Sequence, residues 1–430
     1  MNTKKTGIIG AGTMGIGIAQ VAATNGCEVF LYDANAEQTE KSLQNLESVL
    51  QKSAAKGKIS FEEAEHIFNR IKFCTELKDL KDCELVIEAA VENKDIKTKI
   101  FAELEHYVSE TCIIASNTSS ISITSLSANL KNPERFLGIH FFNPAPLMPL
   151  VEVIPGLLTK ENLAREIYDL MKSWNKIPVI AKDIPGFIVN RIARPFYGEA
   201  LRIVEENLAT PQEVDDAMKT FGNFKMGPFE LMDLIGIDVN FAVTTTIYKD
   251  YFYDSKYKPS LLQQRMCEAK LLGRKTGKGF YDYSQEVRDT GFGIRDNETE
   301  IKTEEIINEK ETESVENQVE LNENQETNTF SSSRTRHSVA SQKPSAKSQK
   351  QKVFHRIISM LINEAVEAKR LNIASDEDIE LAMQKGVNYP KGLLNWGKEL
   401  GFDFVSKTLQ NLYDEYREER YRQSPLLRKM

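Results

Sequence analysis

A glycine-rich motif close to the N-terminus constrains the fold of this chain more than any other feature. Gly10-Ala11-Gly12-Thr13-Met14-Gly15 follows a short apolar run and precedes a helix-like segment. A strand, a tight turn and a helix N-terminus in this order form a site for a dinucleotide pyrophosphate. We expect Gly10 to allow the turn, Gly12 to let the backbone approach the phosphates, and Gly15 to let helix and strand pack closely.

An acidic residue closes the next strand-like run. Asp33 follows Glu28–Tyr32 and lies about 20 residues beyond the glycines, where such folds bind the adenosine ribose hydroxyls. Its carboxylate would repel a 2′-phosphate, and Ala34 and Asn35 supply no arginine to hold one. The sequence therefore favours NAD over NADP. The alternative is a surface aspartate that merely closes a strand.

Residues 1–184 alternate strand-like and helix-like segments. Residues 85–90, 112–116 and 136–142 read as buried strands, and helical patterns such as 36–56 and 95–108 lie between strands. This alternation predicts a Rossmann-type, doubly wound sheet that binds NAD.

The pattern of apolar residues becomes helical after Pro185-Gly186. Residues 185–285 carry helical periodicity with few strand signals, and residues 353–430 do so again. We therefore predict an α/β chain in which an N-terminal Rossmann-type doubly wound sheet is followed by two all-α helical domains.

The second helical domain repeats the first. Arg191 corresponds to Arg356, and the same offset without gaps pairs Glu199 with Glu364 and Gly227 with Gly392. The pattern indicates one internal duplication.

A polar segment separates the two copies. Residues 286–352 are rich first in Glu, Asn and Thr and then in Ser, Lys, Gln and Arg. Such a composition cannot bury enough apolar surface to offset the ordering entropy, so we predict a disordered linker. A docking role for its acidic and basic halves is the alternative to a plain tether.

Composition excludes several partners. The net charge is −8 and the pI is about 5.5, which argues against nucleic acid, and no apolar run approaches a membrane span. The five cysteines are scattered without C-x-x-C pairs, which favours reduced thiols in the cytoplasm. The first strand leaves no room for a signal peptide. We predict a cytoplasmic protein with no metal site.

Polar residues that can perform chemistry concentrate between residues 116 and 152. His140 is the natural acid or base because its free pKa lies near neutrality. Glu152 stands in an apolar run, where a carboxylate is costly unless it is paired. We expect the two to pair, which would fix the imidazole tautomer and stabilise the imidazolium. The alternatives are a satisfied core histidine or a purely structural ion pair.

Six motifs together resemble the 3-hydroxyacyl-CoA dehydrogenase family. The similarity spans about residues 4–284 and, as a second copy of the helical domain, 353–430. The motifs are Gly10–Gly15, Ser116–Ser120, His140–Pro144, Asp183–Arg191, Asn223–Leu231 and Gly273–Tyr281.

The resemblance implies reversible, NAD-dependent oxidation of the 3-hydroxyl of an (S)-3-hydroxyacyl-CoA, as in fatty-acid β-oxidation. It makes His140 the general base and Glu152 its partner. It makes Ser119 and Asn190 the hydrogen-bond donors that hold the substrate oxygens.

The resemblance also implies ligand contacts. For NAD it indicates the side chains of Asp33, Glu92, Lys97, Asn143 and Lys275, with Ser119 near the nicotinamide. For the CoA phosphates it indicates Lys52 and Lys56. From the sequence alone, each lysine would be read as part of a solvated face.

The second helical copy departs from the family pattern. His355 replaces the counterpart of Asn190, and Gly392-Leu393-Leu394-Asn395 replaces Gly227-Pro228-Phe229-Glu230. We predict that this copy is structural. Since the helical domain forms a dimer interface in single-copy members, the chain is expected to be a homodimer or a pseudo-dimeric monomer.

Two rival functions remain open at this point. The same scaffold serves oxidoreductases that act on small hydroxy acids or sugar acids. A non-catalytic NAD-binding structural protein or sensor is the other alternative. The preferred acyl chain and the catabolic pathway are not determined by the sequence.

Overall fold

The computed structural model describes residues 3–285 and 346–430. Most of the predicted linker, 286–352, lies outside the described residues. The first part is a single eight-stranded sheet. Ile8 and Ile9 are adjacent, point to opposite faces of this sheet and belong to different hydrophobic clusters. The sheet is thus covered on both faces, as a Rossmann-type fold requires.

The strands are short and largely buried, as expected of a sheet covered on both sides. They are Lys5–Ile9 (β1), Glu28–Tyr32 (β2), Ile71–Cys74 (β3), Leu85–Glu88 (β4), Ile113–Ser116 (β5), Phe136–Phe141 (β6), Leu150–Pro155 (β7) and Ile177–Ile180 (β8).

The strand order is β3-β2-β1-β4-β5-β6-β7-β8. After β1 the chain builds one side of the sheet and then crosses to the other, so the switch point lies between the carboxyl ends of β1 and β4, where ligands bind in such sheets. β7 runs antiparallel to β6 while the other neighbours are parallel. The sequence did not predict this reversal.

Side-chain caps define most helices of the first domain. Asn35, Ser60, Asn93 and Ser122 each accept a backbone N–H at the start of a helix, which satisfies an otherwise unpaired donor. The helices are Thr13–Thr24 (α1), Ala36–Ala55 (α2), Phe61–Asn69 (α3), Lys94–Leu104 (α4), Ile123–Ser127 (α5) and Leu163–Ser173 (α6).

Everything described after β8 is helical apart from connecting turns and isolated bridges, which confirms the predicted fold class. The first copy contains Val189–Ile192 (α7), Arg194–Glu205 (α8), Pro211–Gly222 (α9), Pro228–Ile235 (α10), Ile237–Asp250 (α11) and Leu261–Glu268 (α12). The second contains Ala346–Arg370 (α13), Asp376–Gly386 (α14), Leu393–Leu400 (α15) and Phe402–Tyr416 (α16).

The predicted linker extended too far. α13 begins at Ala346, inside the segment 286–352. Lys350 forms a 3.0 Å ion pair with Asp216, and Gln349 donates to the carbonyl of Leu208. These polar side chains find partners on the first copy, so composition alone misplaced the boundary.

The two copies repeat a capping device. Asp215 accepts the backbone N–H groups of Phe229 and Glu230 at the start of α10. At the same offset, Glu380 accepts those of Leu394 and Asn395 at the start of α15. The duplication seen in the sequence therefore extends to the hydrogen bonds that orient these helices.

Two buried ion pairs join the two helical copies reciprocally. Arg191 of the first copy contacts Glu364 of the second at 3.7 Å, and Arg356 of the second contacts Glu199 of the first at 2.6 Å. The two arginines are counterparts, and so are the two glutamates. Such reciprocity is the signature of an isologous, twofold interface.

A tyrosine completes each exchanged pair. Tyr257 donates to Glu364 at 2.9 Å, and Tyr421 donates to Glu199 at 2.7 Å. Both hydroxyls also accept from the arginine of their pair. The polar groups at this interface are therefore hydrogen-bonded on several sides, which buried charges require.

No single helix of residues 3–285 and 346–430 is both long and apolar enough to cross a membrane. α10 and α11 pass that test only as a pair bent by 100°. All five cysteines are free, and all but Cys267 are buried.

We predict that Glu364→Gln lowers the free energy of unfolding by about 3–5 kcal/mol, because it leaves Arg191 and Lys256 buried without a carboxylate. Urea unfolding followed by circular dichroism measures this change. Glu419→Gln is the control, since its ion pair with Arg422 is exposed and contributes about 0–1 kcal/mol. Equal effects of the two substitutions would contradict the importance of the exchanged pairs.

Candidate active site

The glycine motif forms the turn between β1 and α1. Gly10 has a φ of 103°, which favours glycine, and a Cβ on Gly15 would overlap the carbonyl of Gly10. A Cβ on Gly12 would meet no atom within 4 Å, and the N-terminus of α1 has no side-chain cap. Open space above uncapped N–H groups fits a pyrophosphate, so the residues present fit a dinucleotide.

Asp33 lies beside this turn. One carboxylate oxygen accepts the N–H of Ala11 at 2.7 Å, and the other accepts the N–H of Asn35 at 2.8 Å. Asp33 therefore fastens the end of β2 to the glycine turn, at the position predicted for the ribose contact.

Lys97 is not a surface lysine. Its side chain is 1% exposed, and its ammonium contacts Glu88 at 2.6 Å, the carbonyl of Ala90 at 3.2 Å and Glu92 at 3.4 Å. Three acceptors match the three N–H donors of an ammonium. The geometry makes Lys97 a positioning group for Glu92, and its direct contact to NAD stays a prediction.

Glu92 accepts several hydrogen bonds from the loop that follows β5. It accepts from the hydroxyl of Thr118 at 2.6 Å, the N–H of Ser119 at 3.0 Å and the hydroxyl of Ser120 at 3.1 Å. Burial raises the pKa of Glu92, but Lys97 and these hydrogen bonds outweigh burial, so its pKa lies below the ordinary value. An ionised Glu92 thus holds Ser119 in place.

His140 and Glu152 face each other across the antiparallel strands β6 and β7. They are direct partners in register, and Nδ1 of His140 lies 2.7 Å from a Glu152 oxygen. An ionised carboxylate can only accept, so Nδ1 carries the proton and Nε2 keeps its lone pair. The reversal of β7 is what brings the two side chains together.

The second oxygen of Glu152 reaches the helical domain. It accepts the N–H groups of Ile188 and Val189, both at 3.0 Å. Asn190 comes next in the chain and is partly exposed, with no hydrogen bond from its side chain to any described residue. One carboxylate therefore orients His140 and fixes the backbone beside Asn190.

Asn117 is a site residue to which the sequence analysis gave no role. Its side-chain oxygen accepts the N–H of Phe141 at 2.8 Å. This bond ties the loop bearing Ser119 to the strand bearing His140. The only sequence signal was its position in the motif Ser116–Ser120.

Lys176 clamps the loop that follows β6. Its ammonium contacts the carbonyls of Ala145 at 2.5 Å and Met148 at 3.0 Å. The same loop carries Asn143 and packs Ala145 close to Gly17 of α1. Lys176, which the sequence analysis missed, therefore connects the predicted cofactor contact Asn143 to the helix that begins at the glycine motif.

The remaining predicted lysines lie apart from these residues. Lys275 pairs with Asp238 of the helical domain at 2.6 Å, and no described contact links it to the crevice. Lys52 and Lys56 are exposed at the end of α2, and Lys52 is about 24 Å along the helix axis from Ala36.

No group of three metal-ligating side chains is found in the described part of the chain. The arrangement at β6 and β7 instead offers an imidazole with a fixed tautomer and neutral donors nearby. Such a set can accept a proton from a hydroxyl while the donors hold its oxygen.

Two family models and several known proteins match this chain. The NAD binding domain of 3-hydroxyacyl-CoA dehydrogenase matches residues 5–184, and the C-terminal domain of that family matches 186–283 and 353–430. The 3-hydroxyadipyl-CoA dehydrogenase of Escherichia coli K12 is 37% identical, with 100% of this chain and 97% of that protein covered.

Two further proteins are also similar to this chain. A probable 3-hydroxybutyryl-CoA dehydrogenase of Deinococcus radiodurans is 44% identical over 65% of this chain and all of its own length. The crystal structure of 3-hydroxybutyryl-CoA dehydrogenase from Escherichia coli K12 superposes with a TM-score of 0.83 at 32% identity, covering 100% of this chain and 98% of that one.

We predict that Lys176→Met weakens NADH binding roughly 10-fold or more, because the loop of Asn143 loses a charge-assisted clamp. Burial lowers the pKa of Lys176 to about 8. Its charge is therefore present at neutral pH and lost as the pH rises through 8, so wild-type affinity should fall above pH 8. Fluorescence titration measures both effects.

The control is Lys172→Met, which removes an exposed lysine from α6 and should leave NADH affinity unchanged. If Lys176→Met binds NADH as tightly as Lys172→Met at pH 7, the clamp has no role in binding the cofactor.

Proposed function

Because the chain belongs to the 3-hydroxyacyl-CoA dehydrogenase family and is an NAD-dependent oxidoreductase, we propose that it oxidises (S)-3-hydroxyacyl-CoA to 3-oxoacyl-CoA with His140 as the general base. The observation that carries this proposal is the 2.7 Å bond between His140 and Glu152. A buried glutamate that only stabilised the fold would not need an imidazole facing a cofactor crevice.

In this proposal His140 and Glu152 together take up the proton of the substrate hydroxyl. Nε2 of His140 accepts the proton of the 3-hydroxyl, and the carboxylate of Glu152 stabilises the resulting imidazolium. The glycine motif and Asp33 would hold NAD, which would supply the acceptor for the hydride of C3. In the reverse direction the imidazolium returns its proton to the carbonyl oxygen.

Neutral donors hold the substrate oxygens in this proposal. Ser119 lies on a loop that Glu92 anchors, and Asn190 lies in α7, whose first residue donates its N–H to Glu152. Holding both oxygens of a β-hydroxy thioester fixes C3 relative to the nicotinamide, which lowers the entropic part of the barrier. Lys52 and Lys56 remain the proposed contacts of the CoA phosphates, and Lys275 remains a proposed contact of NAD.

We further propose that the chain is a pseudo-dimer. The reciprocal pairs Arg191–Glu364 and Arg356–Glu199 support this proposal, because such reciprocity is expected where a second subunit would bind an isologous surface. His355 replaces the counterpart of Asn190, so one active site per chain is expected. A cytoplasmic location is part of the same proposal.

The rival activity on small hydroxy acids is tested directly. NADH consumption with acetoacetyl-CoA is compared with consumption with free acetoacetate. We expect turnover only of the thioester. Turnover of the free acid at the same rate would support the rival, and a zero rate with bound NADH would support a non-catalytic role.

We predict that His140→Gln lowers kcat by roughly 100-fold or more, because the general base is lost, while NADH affinity stays near that of wild type. Stopped-flow rates and NADH titration separate the two. Glu152→Gln should also lower kcat through loss of tautomer control. Near-normal turnover of His140→Gln would refute the assigned role.

We predict that the full chain sediments as a monomer of 48.8 kDa. A truncation after residue 285 should associate or precipitate, because it exposes the surface that α13 covers. Sedimentation velocity distinguishes the species. A truncated chain that stays monomeric and fully active would contradict the pseudo-dimer.

A further inference from the structure

A helix of the second copy packs against the elements that support the His140–Glu152 pair. This helix, α14, contacts β7, β8 and α7. β7 carries Glu152, β8 pairs with β7, and α7 begins with Val189, whose N–H donates to Glu152. The second copy therefore contacts the sheet domain beside the proposed catalytic pair as well as the first helical copy.

The last residue of α14, Gly386, is buried at this contact. A Cβ on Gly386 would lie 2.6 Å from Cδ2 of Leu150 and 3.0 Å from Cγ2 of Val189. Both distances are shorter than an ordinary van der Waals contact between carbon atoms, which is about 3.5–4.0 Å. A residue without a side chain is therefore what allows α14 to approach β7 and α7 so closely.

The backbone of Gly386 does not itself require glycine. The residue is helical and has no positive φ, and glycine is a weak helix former. The constant offset of the duplication pairs Gly386 with Phe221 of the first copy. The ring of Phe221 lies 6.1 Å from that of Phe354, on the other helical copy. The two positions thus have different neighbours, and the close approach to the sheet domain accounts for the glycine.

The side chains around Gly386 lead to both members of the catalytic pair. Leu150 stands two residues before Glu152 in β7, so the two side chains point to the same face of the sheet. The N–H of Val189 donates to Glu152 at 3.0 Å. Phe142, which would also contact the added Cβ, at 3.7 Å, packs on His140 with the ring centres 4.6 Å apart.

The second copy also binds the edge of the sheet. β8 is the last strand in the order, and an edge strand has backbone groups without a partner strand. Asp378 of α14 accepts the N–H of Ile180 at 3.3 Å, and the carbonyl of Ile373 accepts that of Lys182 at 2.9 Å. The ammonium of Lys182 donates to the carbonyl of Leu371 at 2.9 Å. These bonds fix α14 against β8.

We propose that Gly386 is a positioning residue for the reaction. Its lack of a side chain lets α14 hold β7 and α7 in the places that orient Glu152 and, through it, His140. The second copy thereby contributes to the rate of proton transfer without bringing a reacting group to the site. This inference rests on the proposed function.

The test adds one carbon atom at this position. Gly386→Ala places a methyl group against Leu150 and Val189, so these residues or α14 must shift. Since a misplacement of about 1 Å can cost about 100-fold in rate, we expect kcat with acetoacetyl-CoA and NADH to fall by roughly 10-fold. KM and NADH affinity should stay within about 2-fold of wild type, because the glycine motif lies on the β1–α1 turn.

A second substitution distinguishes a collision from a general loss of stability. Leu150→Val removes the Cδ2 atom that the new methyl group would meet. Gly386→Ala combined with Leu150→Val should therefore recover most of the kcat that Gly386→Ala loses, with Leu150→Val alone as the reference of the double-mutant cycle.

Asp378→Ala gives an independent test that adds no atom, and it replaces Gly386→Ala should that variant not fold. It removes the acceptor of the Ile180 N–H and so loosens the same helix from β8. We expect kcat to fall by roughly 3-fold, the effect of one lost hydrogen bond.

Two other glycines provide matched controls. Gly397→Ala also creates an overlap, but with Phe402 and Ile362 inside the second copy. It should lower the stability without lowering kcat of the folded enzyme. A Cβ on Gly198 meets no atom within 4 Å, so Gly198→Ala should leave kcat unchanged.

Three results would overturn the positioning role while leaving the dehydrogenase function intact. They are a wild-type kcat in the folded variants Gly386→Ala and Asp378→Ala, equal losses of kcat in Gly386→Ala and Gly397→Ala, and no recovery when Leu150→Val is added. A wild type that does not turn over acetoacetyl-CoA would instead overturn the proposed function, and this inference with it.

Discussion

The carboxylate of Glu152 is the constraint on which the rest of the site depends. It is fully buried, so each of its oxygens needs a partner. One oxygen takes His140 and the other takes the backbone of Ile188 and Val189. A single charge thereby joins the sheet to the helical domain and orients the imidazole between them.

A second carboxylate plays the corresponding role on the opposite loop. Glu92, balanced by Lys97, collects the hydroxyl and N–H groups around Ser119, and Asn117 bridges that loop to β6. The proposed substrate donor Ser119 is thus fixed by charges set back from it. In the proposed mechanism this arrangement would let neutral groups hold the substrate while the base keeps its lone pair.

The second helical copy has lost the counterpart of Asn190 but keeps the contacts that join it to the first copy. Its counterpart of Asn190 is His355, whose ring packs against Phe354 and Phe404. Its helices nonetheless retain the capping and the exchanged Arg–Glu pairs that build an interface.

The sequence predicted the fold class and much of the site because both depend on local sequence patterns. The glycine motif, the order of strands and helices, and the pairing of His140 with Glu152 needed only spacing and the cost of burying charge. The burial of Lys97 depends on packing, which local sequence patterns do not show, and α13 begins earlier than composition suggested.

The most direct measurement of the central claim is the protonation of the His140 ring by nitrogen-15 NMR at neutral pH, assigned by comparison with His140→Gln. A neutral ring held by Glu152 carries its proton on Nδ1 and leaves Nε2 free to act as the base, and this is the result we predict. A ring protonated on Nε2, with Nδ1 unprotonated, would show that Glu152 does not set the tautomer and would contradict the account.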